Sequence, residues 1–137
     1  MVTITLANYE DAYLSFDIQE EWAKIHNGEN RIPFVGLFAS WDFAEKNSRL
    51  LKKINEYYQK GIEWVHANPE EAAGLAAEYF GQPAPVIQAS FQRINLNYYP
   101  AGEAYQLIEL YFNEIMKIYP EMIGGSLPDE LFYFQDQ

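Results

Sequence analysis

The chain has 137 residues, no cysteine, and 9 Lys+Arg against 20 Asp+Glu, for a formal net charge of -11. The missing cysteines exclude disulfides, thiolate metal sites and cysteine nucleophiles. The negative charge opposes binding to nucleic-acid phosphates and to anionic lipid. A chain of this length fits one domain and is expected to bury roughly 68% of its unfolded surface.

Val2-Thr3-Ile4-Thr5-Leu6 alternates branched apolar and hydroxyl residues, which predicts a short strand. Asn8 follows as an N-cap with Asp11 in the first turn, and Leu14, Ile18, Trp22 and Ile25 recur at helical spacing up to a left-handed stop at Gly28. Pro33-Phe34-Val35-Gly36-Leu37-Phe38-Ala39 is too short for a helix and reads as a buried strand. Asp42 and Glu45 open a long helix over 42–66, with Phe43, Leu50, Leu51, Ile54, Tyr57, Tyr58, Ile62 and Val65 as its apolar stripe. Glu45/Arg49 and Glu56/Lys60 stand at i,i+4 on the opposite side.

Asn68-Pro69-Glu70-Glu71 combines a cap residue, a first-turn proline and glutamates, and Gly81 closes the helix that follows. Pro83 and Pro85 precede a shorter helix carrying Val86, Ile87, Phe91 and Ile94. Pro100 and Pro120 bracket another that carries Leu107, Ile108, Tyr111, Phe112 and Ile115. Gly124-Gly125 and Pro128 then turn an aromatic tail back onto the body. There is no internal repeat and no linker, so a single domain is expected.

The residues that could carry chemistry are few. His26 and His66 are far apart, outside any metal-ligand spacing, and each sits in the closing turn of a predicted helix, where an imidazolium complements the dipole. Glu20-Glu21 and Glu70-Glu71 are adjacent helical residues that point about 100° apart, so neither doublet makes an acid/base pair. Gly124-Gly125 lacks the Lys-Ser/Thr ending of a phosphate loop. Ser40-Trp41 places a hydroxyl and an indole where the predicted strand gives way to a helix N-terminus, so these two are the candidate ligand contacts. No catalytic residue, metal site or cofactor is expected.

The run Val35-Gly36-Leu37-Phe38-Ala39-Ser40, the helix opening at Phe43-Ala44, the stretch Trp64-Val65-His66-Ala67-Asn68-Pro69-Glu70-Glu71-Ala72-Ala73 and the ending Gly124-Gly125-Ser126-Leu127-Pro128-Asp129 occur in an order that resembles solute-binding proteins of ABC transporters. The class is that for nitrate, sulfonates, taurine and thiamine-precursor pyrimidines, and the resemblance covers about residues 33–134. It implies an α/β, helix-rich fold: part of a type II periplasmic-binding-protein lobe, with two short strands and about five helices. Residues 1–31 would be a strand-helix segment from the second lobe and 32–137 the C-terminal part of the receptor.

The implied function is non-enzymatic capture of a small anionic or heterocyclic solute for an ABC permease. Such receptors are more than twice this length, so binding by this chain alone is expected to be weak or absent, with self-association through exposed aromatic or strand surface giving a homo-oligomer. The alternative is a helical protein-interaction module without ligand-binding activity. The thiamine-pyrimidine synthases, which share the fold, are excluded by the lack of the cysteines that their iron motif requires. The family works outside the cytoplasm. This chain shows neither a signal peptide nor a membrane span, so a soluble, cytoplasmic chain is expected as written.

Overall fold

The computed structural model describes residues 2–134, and among them the secondary structure is helical throughout. Seven α-helices and two short 3₁₀ turns replace the expected α/β arrangement of two strands and about five helices. The sheet of a receptor lobe is therefore not formed among the described residues.

The first departure is at the N-terminus, where Val2–Asn8 is helix α1 rather than a strand. Its residues favour extended backbone individually, but a strand must hand its N–H and C=O groups to a neighbour. With no partner strand, the helix satisfies those groups within the segment, and α1 packs on helix α6 (Ala84–Phe91). Asn8 ends this helix instead of opening the next one, and α2 begins only at Ile18 and runs to Ile25. Glu20 and Glu21 occupy the first turn of α2 and Lys24 the last, the charge order that its dipole favours. Asn27 and Gly28 then adopt left-handed backbone, and the Gly28 N–H donates to the carbonyl of Ala23.

Residues 29–40 form no helix, strand, turn or bend, so the strand expected over 33–39 is absent. The helix expected over 42–66 is two helices, α3 (Trp41–Lys46) and α4 (Ser48–Ala67). Asn47 divides them. Its backbone leaves the helical region at φ -131°, while its side-chain amide and its backbone N–H both donate to the Phe43 carbonyl. The apolar periodicity runs on through Asn47, but an asparagine side chain can compete with the helix for backbone groups, and the helix breaks at this residue. The break also puts Glu45 and Arg49 on different helices. Neither they nor Glu56 and Lys60 form an ion pair, and Lys60 lies over the Tyr57 ring, 5.7 Å from its centroid.

The described chain divides into two compact units, each built from two stretches of sequence. One comprises residues 1–17 and 56–98. Its centre is the pair α5 (Pro69–Phe80) and α6, which meet through the buried side chains of Ala72, Ala73 and Ile87. Alanines at this contact let the two backbones approach. Gly81 closes α5 at φ +62°, a left-handed conformation that costs glycine nothing and that lets its N–H cap the carbonyl of Ala77. His66, in the last turn of α4, donates from Nε2 to the carbonyl of Leu96 at 2.7 Å, and Tyr58 meets Tyr98 with ring centroids 6.1 Å apart.

The other unit comprises residues 18–55 and 99–137 and is organised by α7 (Ala101–Ile118). After the 3₁₀ turn Pro120–Ile123, Gly124 and Gly125 both take φ +80° and turn the chain back. Within the short 3₁₀ turn Glu130–Phe132 and just beyond it, the tail meets α7. Phe132 stacks edge-on against Phe112, and Tyr133 against Tyr105 with centroids 4.6 Å apart. Tyr133 is buried, and its hydroxyl donates to Glu109 Oε1 at 2.9 Å. Burial, followed by this bond to a carboxylate, raises the phenol well above the ordinary tyrosine range. On another side of α7, Trp22 and His26 of the α2 segment stack 3.9 Å apart, with Trp22 also facing Tyr111.

Candidate interaction surface

The two residues singled out as ligand contacts stand in the open. Ser40 is exposed, with extended backbone at φ -65°, ψ 150°, and its hydroxyl makes no capping bond to α3. Trp41 is 58% exposed. Helix α3 has only six residues, too short to focus a useful dipole on an anion. Neither residue lines the hollow at the α4–α5 junction.

One hollow of about 390 Å³ lies at the junction of α4 and α5, lined by Ala67, Asn68, Pro69, Glu70, Glu71 and Gln88. It is wide open, and its charged groups are two carboxylates with no cation beside them. That is the reverse of what a nitrate or sulfonate would need. Small-molecule sites are enclosed and mostly apolar with a few convergent polar groups, whereas this hollow is open and largely polar. Among the described residues, no group of His, Asp and Glu is placed to hold a metal.

Apart from Tyr133, an enclosed titratable group is His26, whose side chain is 9% exposed. Its Nε2 and the indole Nε1 of Trp22 are both buried without a hydrogen-bond partner, and Glu114 Oε1 lies 4.0 Å from the imidazole, beyond hydrogen-bond reach. Glu114 is held instead by Lys117 at 2.6 Å. Both orphaned nitrogens are sealed from solvent, so they cannot reach a diffusing substrate. His26 stacks on Trp22 of its own segment, and Trp22 in turn faces Tyr111 of α7.

What the surface does offer is helix α4. Leu50, Ile54, Tyr57, Tyr58, Gly61 and Val65 follow one another at i, i+4, i+7, i+8, i+11 and i+15, which places them along one face. None of the helix's residues is buried, and Tyr57 is 71% exposed. Arg49, Lys53 and Lys60 fall at i, i+4 and i+11 along one edge of this stripe. Five of the nine Lys+Arg of the chain lie between Lys46 and Lys60, so the most basic stretch of an acidic protein coincides with an exposed apolar face, of which Tyr58 alone has a ring partner, Tyr98, among the described residues. Periodicity had identified the stripe. It had not indicated that the stripe would stay in water, because an amphipathic pattern is the same whether the helix packs within its own chain or against another.

Comparisons with protein-family models, with curated proteins and with solved structures find no match for this chain. No helix among the described residues is long and apolar enough to cross a membrane.

Proposed function

We propose that this chain is a helical protein-interaction module, whose α4 receives an amphipathic helix of a partner protein with acidic residues beside its apolar face. The observation that supports the reading is a 20-residue helix with a continuous apolar stripe, no buried residue and a basic edge. Helix-in-groove recognition uses anchors at i, i+3, i+4 and i+7, and Leu50, Ile54 and Tyr57 stand at i, i+4 and i+7. Tyrosines suit such a surface, because each contributes a large rigid area and a polar tip at low entropic cost. Basic amphipathic helices also bind membrane surfaces, but Glu56 and Glu63 on the polar side and a net charge of -11 oppose anionic lipid.

Capture of a small anionic or heterocyclic solute by Ser40 and Trp41 would need the strand that was to end at Ser40. With that segment unpaired, helix docking is the reading we favour over solute capture.

The test uses three synthetic amphipathic peptides with one apolar face and acidic, neutral or basic flanks, read by fluorescence anisotropy. Tightest binding to the acidic peptide is expected, with about a tenfold loss in Ile54→Asp and about the same loss when salt rises from about 0.1 to 1 M. Equal affinity for all three peptides, or preference for anionic vesicles, would overturn it. A thermal shift with nitrate, sulfonates or pyrimidines that disappears in Ser40→Ala would support solute capture instead.

A further inference from the structure

The segment Phe34–Ala39 has a sequence that asks for a sheet and a structure that gives it none. Between Val35 and Ala39 no backbone N–H or C=O has a hydrogen-bond partner. Among the described residues, the only backbone bond that reaches the run is from the Phe34 N–H to the Ile32 carbonyl at 2.9 Å. The side chains are exposed as well: Phe34 is 61%, Val35 84% and Phe38 79% exposed, with the Phe38 ring meeting Phe132 at 6.0 Å between centroids. No residue from Ile32 to Trp41 is charged, although the chain as a whole carries -11.

An unpaired, uncharged, β-prone segment of six residues is the length of an ordinary strand and a template for pairing. We infer that Phe34–Ala39 pairs antiparallel with the same segment of a second copy, making a two-stranded ribbon across a two-fold axis. This goes beyond the docking of a partner helix on α4 and uses different residues.

Three observations select a second copy over a foreign strand. An antiparallel pair related by a two-fold is self-complementary, so one segment supplies both halves without a further sequence requirement. The neutrality of residues 32–41 allows it, since self-pairing brings no like charges face to face within the ribbon. The area is adequate as well. Phe34, Phe38 and Trp41 alone expose on the order of 400 Å², half of the roughly 800 Å² per partner of a standard interface. Pro33, which has no N–H to donate, and Asp42 flank the run and stop the ribbon from propagating into a larger sheet.

Two chains of charge -11 repel, so association must strengthen as salt screens them. The Debye length falls from about 10 Å at 0.1 M to about 3 Å at 1 M. The experiment is sedimentation equilibrium of the full chain over a concentration series at both salts. Each measurement is repeated for Gly36→Pro and Leu37→Pro. Proline suits extended backbone but removes a donor, and because these residues are adjacent, one of the two lies on the side that faces the other copy.

A monomer–dimer equilibrium that tightens with salt is expected. At least one proline variant should weaken it about tenfold or more, with helical circular dichroism unchanged. A chain that stays monomeric at all concentrations and both salts would overturn the inference, as would a dimer that both prolines leave intact. Ile54→Asp, which disables the α4 stripe, is expected to leave the dimer in place. Loss of the dimer in that variant would assign the contact to α4 and count against the ribbon, whereas loss of peptide binding alone concerns only the helix-docking reading.

Discussion

Tyr133 is the least exposed large side chain among the described residues, and its hydroxyl reports on whether the tail is seated. It is 3% exposed, lies edge-on to Tyr105 and donates to Glu109. Tyr133→Phe keeps the ring and deletes the donor, leaving the half-buried Glu109 carboxylate without that partner. Unfolding by urea should show a loss of about 1–3 kcal/mol, in the range for a hydrogen bond to a charged group. The raised phenol fixes the sign of the pH dependence. Below the ordinary tyrosine value of about 10, both folded and unfolded states keep the proton. Above it the unfolded chain releases the proton while folded Tyr133 retains it, so stability falls as pH rises through that range. An ultraviolet titration of the folded protein should show a lagging tyrosine component that Tyr133→Phe removes. If the lag survives in the variant, the tail is not seated as described.

Among the elements, the α4–α5 junction separates two roles that sequence alone cannot distinguish for Asn68. Asparagine before Pro69 and Glu70-Glu71 has the form of an N-cap, and α5 does begin there. Its side chain nevertheless makes no capping bond to α5, and Nδ2 donates backward to the Trp64 carbonyl at 2.9 Å, closing the end of α4. Asn47 and Asn113 donate in the same way to Phe43 and Glu109. As an N-cap, aspartate would replace Asn68 at little cost, because the two cap about equally well. As a donor to a carbonyl it cannot be so replaced, since a carboxylate only accepts. Asn68→Asp should therefore lower the melting temperature more than Asn68→Ala, by the equivalent of about 1 kcal/mol. Equal melting of Asp and wild type would restore the capping role. The boundaries of α5 and α7 were legible because proline and glycine act through backbone geometry that no neighbour can change. The fates of Val2–Leu6 and Pro33–Ala39 were not, because a strand exists only if another strand meets it, and that is a property of the whole chain.

At the scale of the molecule, the governing quantity is the surface left in water. The chain exposes 10,681 Å², against about 7,400 Å² for a compact monomer of its mass, or about 8,900 Å² for two separate bodies of the sizes of its two units. The excess does not depend on how the units are disposed, because it persists when each is counted alone. The buried hydrophobic side chains among the described residues are Ala72, Ala73, Ile87, Ala104 and Tyr133, three of them alanine, a small core for 137 residues. The apolar composition predicted a larger one, since periodicity marks which faces are apolar and not which of them meet. Unfolding such a chain uncovers less new surface than its length suggests. The denaturant slope scales with that surface, so the urea m-value should fall about a fifth below that of a compact monomer of this size. The measurement belongs at low protein concentration, where copies are separate. At higher concentration, pairing buries part of the excess, so both the midpoint and the slope should rise with protein concentration, as mass action requires of any contact made only by the folded form. A slope at the full compact-monomer value in dilute solution would mean that the exposed aromatic faces are already covered within one chain. There would then be no surface left for a partner helix or a second copy.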